Sequence, residues 1–274
     1  MRLSQIFIYP VKSLRGVVVT TSPVDALGLL GDRRFMIVDA NGQFLTQRAL
    51  PKMALVTTSL LGRQLTLSAE HFGAINVALT PDPAAPRLPV TIWKSTRLLA
   101  EDCGPDAADW IGEFLQQRCR LVRIGADFNR PILKATYPSA SNVVNFADAF
   151  PFLIISNASL DHLNNRLRAQ GEEPVPMDRF RPNLVVSDCP PFAEDTRPRF
   201  RIGEITFISA GPCARCRVTT IDQRTAETSS EPLRTLAAFR RDLTDSSAVN
   251  FGQNLLHETK TGALSVGDAV ESAE

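Results

Sequence analysis

FMIVDANGQFLTQ, residues 35–47, carries the clearest secondary-structure signal in this chain of 274 residues. Apolar and β-branched residues flank the pair Asn41 and Gly42, and Asn-Gly is strongly preferred at the centre of a two-residue type I′ turn. A turn of this type joins neighbouring antiparallel strands, because its twist matches that of the strands. The stretch therefore predicts a β-hairpin that turns at Asn41 and Gly42.

Short strand-like runs extend outward from this hairpin through residues 1–100. Each run is rich in β-branched or aromatic residues and is bounded by Gly, Pro or Asn, which is typical of strands separated by turns. The runs are IFIYP, GVVVTTSPV, MALVTTSLL, QLTLSAE, INVALT and VTIW. Strands at this spacing favour a β-sandwich or a barrel over a sheet built from βαβ units.

A helix is predicted next, in GPDAADWIGEFLQQRC, residues 104–119. Its apolar residues recur at helical spacing, and Asp106 lies near the N-terminus, where a carboxylate is favourable. The apolar positions are Ala107, Trp110, Ile111, Phe114 and Leu115. This stripe indicates a helix that packs on the core and implies no cofactor.

A polar stretch without periodicity follows, ADFNRPILKATYPSASNVVN at residues 126–145. It contains two prolines, and this pattern predicts a linker or an ordered surface loop. We therefore expect two intimately packed domains, residues 1–122 and 123–272, which meet near this stretch.

The second half mixes strand-like and helical patterns. Helices are predicted in ASLDHLNNRLRAQG, closed by Gly171, and in SSEPLRTLAAFRRD, with a Ser cap and Pro232 in the first turn. Strands are predicted in FPFLIIS, PNLVVS, RFRIGEITFISA, RVTTID, NFGQNLL and ALSVGDAV. The chain as a whole is therefore predicted to be α+β and rich in β-structure.

Composition narrows the class of partner. The 30 basic and 29 acidic residues are interspersed and give a net charge of +1, so no long-range field draws the chain to nucleic acid or anionic lipid. No apolar run approaches the about 20 residues of a membrane span, and the N-terminus lacks the apolar stretch of a signal peptide. We expect a soluble cytoplasmic protein whose partners are small molecules or proteins, with no nucleic acid and no membrane.

The cysteines and histidines indicate thiols rather than a histidine-built metal centre. The five cysteines are an odd number at irregular spacing, unlike a secreted disulfide framework, so reduced thiols are expected. The histidines, His71, His162 and His257, lie far apart, and each is more often a surface or a satisfied polar residue.

Cys213 and Cys216, in GPCARCRVTTID at residues 211–222, are open to several interpretations. A thioredoxin-like couple needs a helix N-terminus, and the β-branched residues after Cys216 are poor at starting a helix. A zinc site needs four ligands; Cys189 would be a third, and no fourth is evident. A disulfide is disfavoured in a reducing cytosol, so from spacing alone two buried, inert cysteines are the default.

The neighbouring arginines shift this balance. Arg215 and Arg217 flank Cys216, and their charges favour the thiolate, which is both the nucleophile and the ligand for soft metals. Arginines also hold oxyanions. The combination suggests a metal that is carried by an anionic organic cofactor.

Other stretches supply groups suited to such a cofactor. Lys12 and Ser13 follow the first strand in YPVKSLRG, and both side chains can grip a phosphate. Arg33 lies in GDRRF, and Arg181 and Asn183 lie in DRFRPNL, beside predicted strand starts. Each residue alone is more often a solvated or ion-paired surface residue, so their occurrence together with the cysteine pair is the informative observation.

Taken in order, these motifs resemble those of the MOSC-domain proteins, most closely the amidoxime-reducing components of mitochondria and their bacterial relatives. The resemblance covers nearly the whole chain. It rests on IYPVKSLRG, GDRRFMIVD, FLTQR, FPFLIIS, RFRPNLVVS, CARCRVTTID, FGQNLL and SVGDAV. It implies a MOSC-associated β-barrel-like N-terminal domain packed on a C-terminal MOSC β-barrel with a few helices.

The resemblance also implies a molybdenum cofactor, Mo-molybdopterin, between the two domains. Cys216 matches the molybdenum ligand and is the implied catalytic residue, a role that suits a thiolate. The positions implied to bind the pterin and its phosphate are Lys12, Ser13, Arg33, Arg181 and Asn183. The positions implied to approach the cofactor elsewhere are Cys213, Ala214 and Asn254.

The chain departs from the family pattern at three positions near the implied cofactor. Ala149 and Phe150 stand where the mitochondrial relatives carry small polar residues, and Asn254 stands in place of an aromatic residue. Some bacterial relatives continue into a ferredoxin domain, and this chain has no such set of cysteines.

The implied activity is molybdenum-dependent reduction of N-hydroxylated compounds: amidoximes, hydroxylamines or N-hydroxylated bases. The chain has no Gly-x-Gly-x-x-Gly fingerprint, so a separate iron–sulfur or haem protein and a flavin reductase are expected to supply electrons. One alternative is sulfur transfer through a Cys216 persulfide, since the same domain closes the molybdenum cofactor sulfurases. Those relatives bind pyridoxal phosphate in a domain that this length does not include. The other alternative is a carrier of the molybdenum cofactor.

Overall fold

Strands dominate the computed structural model, which describes residues 1–133 and 142–273. In chain order the strands are β1 (Arg2–Ile8), β2 (Val17–Val19), β3 (Thr21–Asp25), β4 (Gly28–Leu29), β5 (Phe35–Asp39), β6 (Thr57–Leu61), β7 (Gln64–Ala69), β8 (Gly73–Ala78), β9 (Arg87–Ile92), β10 (Ser95–Asp102), β11 (Cys119–Arg123), β12 (Phe152–Ser156), β13 (Leu184–Ser187), β14 (Arg199–Ile202), β15 (Ile205–Ala214), β16 (Asn250–His257), β17 (Ala263–Ser265) and β18 (Val270–Ser272). The α-helices are α1 (Pro105–Leu115), α2 (Asn157–Ala169) and α3 (Leu233–Ala237). The 3₁₀ helices span Pro51–Leu55, Met177–Phe180, Ala193–Thr196 and Arg217–Thr220. The predicted β-rich α+β class is confirmed.

The largest sheet joins both ends of the chain. Its strand order is β18-β14-β15-β16-β12-β13-β1-β2, and its neighbours are antiparallel except for β12 and β13, which are parallel and connected through α2. The N-terminal strand β1 thus lies between β13 and β2, inside a sheet made mostly of C-terminal strands. The boundary predicted between residues 122 and 123 stays a prediction.

Both faces of this sheet are buried at its centre. Along β12, Phe152 and Ile154 enter one apolar cluster while Leu153 and Ile155 enter another, because successive side chains of a strand point to opposite faces. The second face is covered by α2, whose Leu163 and Leu167 are fully buried there. This two-sided burial explains why FPFLIIS is continuously apolar rather than alternating.

Antiparallel strands from the first half form the smaller sheets. One has the order β5-β11-β10-β9, another β6-β7-β8, and a third, β17-β3-β4, includes a C-terminal strand. Helix α1 packs on this part of the protein, and it follows Gly104 with Pro105 at its first position. Four of its apolar residues are buried as predicted, namely Ala107, Ile111, Phe114 and Leu115, and Trp110 packs against them.

The predicted hairpin is present, and its turn differs from the prediction. Val38 bridges Phe44 in antiparallel fashion, but of the predicted turn pair only Gly42 has positive φ, 75°, whereas a type I′ turn needs positive φ at both residues. The backbone N–H of Gly42 bonds to the Asp39 carbonyl, and Asp39 Oδ1 accepts from the N–H groups of Asn41 and Gln43. The Asp39 carboxylate therefore selects a longer connection than Asn-Gly alone predicts.

The stretch RVTTID is also not a strand. Residues Arg217–Thr220 form a 3₁₀ helix with Cys216 at its N-cap position, and strand β15 runs on to Ala214 rather than ending at Ala210. The hydroxyl of Thr219 donates to the Cys216 carbonyl over 3.0 Å, and that of Thr220 donates to the Arg217 carbonyl over 2.8 Å. These local bonds outweigh the β-preference of the threonines.

Other predictions need smaller corrections. Strands β10 and β11 lie outside the predicted runs, and MALVTTSLL begins within a 3₁₀ helix. Helix α3 has Pro232 at its N-cap position, and Glu231 rather than a serine accepts the N–H of Thr235. In the predicted loop 126–145, residues 134–141 lie outside the described residues, and Arg130 is buried rather than on the surface. None of the helices in the described ranges combines the length and the apolar character needed to cross a bilayer.

Candidate functional site

A cavity of about 260 Å³ gathers every residue that the sequence predicts as part of a site. The chain brings them from five places: the turn after β1, the segment before β5, the segment before β13, the end of β15 with its following loop, and β16. They are Lys12, Ser13, Arg33, Arg181, Asn183, Cys213, Ala214, Cys216 and Asn254. Ala149 and Phe150, where the sequence departs from the family pattern, also line the cavity.

The cavity wall is strongly cationic. Four of its cations come from these regions, namely Lys12, Arg33, Arg181 and Arg215, and a fifth, Arg48, comes from the segment after β5. Asp148 is the one carboxylate among the lining residues that the structure describes. Burial lowers the pKa of Lys12 to about 8 and that of Arg181 to about 10. Because these cations have lost part of their hydration, an anion in the cavity would be strongly attracted.

Backbone strain accompanies three of the lining residues. Ser13, Arg33 and Arg181 adopt positive φ of 67°, 47° and 55°, a conformation that residues other than glycine rarely adopt. The backbone N–H of Arg33 donates to the Tyr9 carbonyl over 2.7 Å and that of Arg181 to the Asp178 carbonyl over 3.2 Å. Such strain persists where the surrounding structure fixes it, and it is concentrated at functional sites.

Arg33 and Arg181 stack against the buried ring of Tyr9. Their guanidinium carbons lie 4.6 Å and 4.2 Å from its centroid. Burial raises the pKa of Tyr9, so the phenol stays neutral. Nη1 of Arg181 donates to the Leu14 carbonyl over 2.8 Å, whereas its Nη2 is buried and has no partner in residues 1–133 or 142–273. An unpartnered buried donor of a cation is costly, which marks Arg181 as a group poised for an anionic ligand.

The two asparagines fix the walls of the cavity. Asn183 Oδ1 accepts from Arg33 Nη1 over 3.0 Å, and its amide nitrogen donates to the Phe7 carbonyl over 3.3 Å. Asn254 Nδ2 donates to the carbonyls of Gly211 and Pro212, just before the first cysteine of the pair. Both side chains therefore position cavity residues, and their direct contact with a cofactor stays a prediction.

The two cysteines are free thiols that interact with different arginines. Cys213 Sγ accepts a hydrogen bond of 2.8 Å from Arg215 Nη1, and Arg215 Nη2 donates to the Phe180 carbonyl over 2.6 Å. Arg217 is exposed. The arginine whose charge interacts with Cys216 is Arg48, from the first half of the chain. The described residues contain no group of three or more His, Cys, Asp and Glu side chains arranged to hold a metal ion.

Asp148 joins two of the cavity cations and was not predicted. It forms ion pairs with Lys12 and, over 2.9 Å, with Arg48. Burial alone would raise the pKa of Asp148, but Lys12 and Arg48 hold it well below its usual range, so the carboxylate stays ionised. The nearest sequence signal for these residues is that Arg48 ends the motif FLTQR, while Asp148 precedes FPFLIIS without a motif of its own.

Arg130 holds the segment that carries Asp148. Its Nη1 donates to the carbonyls of Asn145 and Ala147 over 2.7 Å and 2.5 Å, and its Nη2 donates to that of Asp148 over 2.9 Å. Arg130 is buried, and burial lowers its pKa to about 10. One side chain thus satisfies a run of backbone carbonyls that would otherwise lack partners.

Comparison with known proteins matches both halves of the chain. The MOSC N-terminal beta barrel domain matches residues 1–118 and the MOSC domain matches residues 141–271. Mitochondrial amidoxime-reducing component 1 of Mus musculus is 34% identical over 98% of this chain and 81% of its own length, and that of Homo sapiens is 35% identical over 98% and 82%. The molybdenum cofactor sulfurase of Danio rerio is 33% identical over 98% of this chain, which spans 34% of that relative.

Proposed function

This chain belongs to the MOSC-domain family, among the members that carry a MOSC N-terminal β-barrel domain, and on that basis we propose that it is a molybdenum-cofactor-dependent reductase of N-hydroxylated compounds. The observation that carries the proposal is that the Cys216 thiol and Arg181, whose buried Nη2 has no partner among the described residues, line the same cationic cavity. A soft ligand and an anion-binding group are what a metal on a phosphorylated pterin requires.

The residues of the cavity fit this cofactor. Arg181 Nη2 lacks a partner among the described residues, and a phosphate oxygen would satisfy it. Arg33 lies on the same Tyr9 ring, and Lys12 lines the same cavity, so both would add positive charge to the phosphate subsite. Cys216 would be the protein ligand of the metal, with Cys213 and Ala214 in the loop beside it. Asn183 and Asn254 would hold Arg33 and this loop in place.

The chain itself would bind, orient and shield, while the bound cofactor would supply the electron chemistry that removes oxygen from the N–O bond. Arg48 would place its positive charge beside the Cys216 sulfur that holds the metal. Asp148, which stays ionised, would keep Lys12 and Arg48 in place rather than exchange a proton. Ala149 and Phe150 would shield one side of the cavity from water.

Further parts of the proposal concern partners and organisation. Small N-hydroxylated compounds would be the substrates, and a separate iron–sulfur or haem protein with a flavin reductase would deliver electrons. We keep the domain boundary between residues 122 and 123 and a cytoplasmic location as parts of the same proposal.

The test is purification from a molybdenum-replete host, followed by metal analysis and assay of benzamidoxime reduction. We expect bound molybdenum, turnover with reduced methyl viologen and no turnover with NADPH alone. A folded protein that contains only zinc or no metal, and that reduces no N–O bond, would contradict the proposal. A persulfide on Cys216 without molybdenum would favour sulfur transfer instead, as in the sulfurase relatives. Turnover with NADPH alone would show an unrecognised cofactor site.

A further inference from the structure

Trp93 is a large aromatic side chain left half in solvent beside the cavity. It is 47% exposed, and it contacts Arg48 and Asp148, both of which line the cavity with Cys216. Tryptophan is usually found largely buried, where its large apolar area stabilises a core, and Trp93 lacks much of that burial. Its position calls for an explanation other than packing.

The backbone at Trp93 is strained. Ile92 and Ser95 are paired across the β9–β10 hairpin, so Trp93 and Lys94 form its two-residue connection. Trp93 has φ of 52°, and positive φ at the first residue of such a connection is the pattern that favours glycine. A bulky residue with positive φ is a genuine outlier. Strain of this kind is concentrated at functional sites, and here it occurs beside the cavity.

The orientation of the indole is fixed by three neighbours. Its Nε1 donates to Asp148 Oδ1 over 3.2 Å, the Arg48 guanidinium lies 4.8 Å from the ring, and the Phe44 ring lies 5.0 Å away at 58°. The only polar group of the side chain is thus already paired. What the exposed part of the ring offers is an apolar π-surface held rigidly next to the cavity.

Trp110, the other tryptophan of the chain, shows what a packing role looks like here. Its ring stacks on Phe114 at 5.9 Å and meets the edge of Phe72 at 5.4 Å, within the apolar cluster around α1. Neither Phe114 nor Phe72 lines the cavity. Trp110 therefore serves as a matched control for Trp93.

We propose that Trp93 is a substrate-binding residue on which the planar aromatic part of a substrate stacks, so that the site prefers aryl substrates to small aliphatic ones. The proposal rests on the proposed reductase function. Stacking on an aromatic side chain requires only a π-face, so a rigid indole would discriminate by ring size and planarity rather than by hydrogen bonds.

The kinetic test compares benzamidoxime with acetamidoxime in the holoenzyme and in the variants Trp93→Leu, Trp93→Phe and Trp110→Phe. We expect Trp93→Leu to raise KM for benzamidoxime about fivefold or more, with kcat retained and acetamidoxime little affected. Trp93→Phe, which keeps a π-face, should restore most of the loss, and Trp110→Phe should leave both substrates unchanged. Equal effects on the two substrates, or no effect on either, would overturn the proposal.

A binding measurement separates this inference from the reductase function. In Trp110→Phe, Trp93 is the sole tryptophan, so its fluorescence reports on the site. We expect benzamidoxime, and not acetamidoxime, to quench it. Quenching by benzamidoxime in a protein that reduces neither compound would leave the aromatic platform standing while the reductase function fails. The absence of quenching by benzamidoxime would overturn the platform, whatever the activity.

Discussion

Arg215 bonds to Cys213 and not to its direct neighbour Cys216, which instead interacts with Arg48 from the other half of the chain. The two thiols therefore differ in surroundings although only two residues separate them. Cys213 accepts a hydrogen bond from Arg215, which also donates to the Phe180 carbonyl. Cys216 instead interacts with Arg48, which is ion-paired with Asp148. Substitutions of the two cysteines are expected to have different effects.

Replacing Cys216 with Ser should abolish both molybdenum retention and benzamidoxime reduction, because a hydroxyl is a harder and much less acidic ligand than a thiol. Cys213→Ser should keep most of the metal, since the hydroxyl can still accept the bond from Arg215. Metal content and turnover of the purified variants provide the measurement. Equal loss of molybdenum in both variants would mean that the ligand is assigned to the wrong cysteine or to neither.

Arg181→Ala should weaken cofactor binding by about 1.5–3 kcal/mol, or about tenfold to a hundredfold, because it removes a charge-assisted contact to phosphate. The control is Arg201→Ala, since Arg201 is half-exposed, pairs with Glu271 and does not line the cavity. Pterin content after purification and its rate of loss on dilution are the readouts. Wild-type occupancy in Arg181→Ala would reject its place in the phosphate subsite.

Stability should fall in acid because of His257. Its Nε2 lies 2.7 Å from the Asp25 carbonyl and must donate to it, while Nδ1 is buried without a partner among the described residues. Burial lowers the pKa of His257 to about 4, below the value of about 6.5 in an unfolded chain. The unfolded state therefore binds more protons between these values, and the contribution of His257, about 3 kcal/mol at most, is present above pH 6.5 and lost as the pH falls toward 4.

Urea unfolding of wild type, His257→Gln and His71→Gln at a series of pH values measures this effect. His71 is exposed, and His71→Gln serves as the control for replacing a histidine. His257→Gln should be less stable at neutral pH but flatter between pH 7 and 4. A wild-type slope that persists in His257→Gln would assign the acid sensitivity to other groups.

Ile154→Ala should destabilise the protein by about 2–5 kcal/mol, because Ile154 is fully buried at the centre of the largest sheet. Leu243, in contrast, is fully exposed, and Leu243→Ala should change stability by less than about 0.5 kcal/mol. Denaturation midpoints of the two variants test the prediction. Similar midpoints would indicate that this part of the sheet does not unfold together with the rest of the protein.

Regular apolar patterns predicted the secondary structure where burial is simple. FPFLIIS became β12 because a short, continuously apolar run suits a strand buried on both faces, and the stripe around Ile111 became α1 because its spacing matches the helical period. The failures lie where local side-chain bonds decide, as with Asp39 in the hairpin turn and the hydroxyl of Thr219 after Cys216. Such bonds depend on backbone geometry that composition and periodicity do not report.

The sequence motifs predicted many of the residues that line the cavity, but they did not predict Arg48, Asp148 or the neighbouring Trp93. Arg48 and Asp148 contact each other across 100 positions of sequence, and no local pattern connects them. The sequence also provided no reason to place Trp93 at the site, because VTIW has the pattern of an ordinary strand. The exposure and the positive φ of Trp93 are visible only in the structure. Long-range pairing and backbone strain are properties of the folded chain alone.

The place of β1 inside the largest sheet has a consequence during synthesis on the ribosome. β1 is synthesised well before its partner β13, because most of the sequence described here lies between them. Until β13 is made, one edge of β1 has no strand to pair with. The nascent chain therefore depends on late, long-range strand pairing, which is slow and leaves apolar residues open to aggregation. A fragment that stops at residue 122 would contain β1 without its partner β13. We expect this fragment and the remainder of the chain to be recovered in soluble form only when they are produced together.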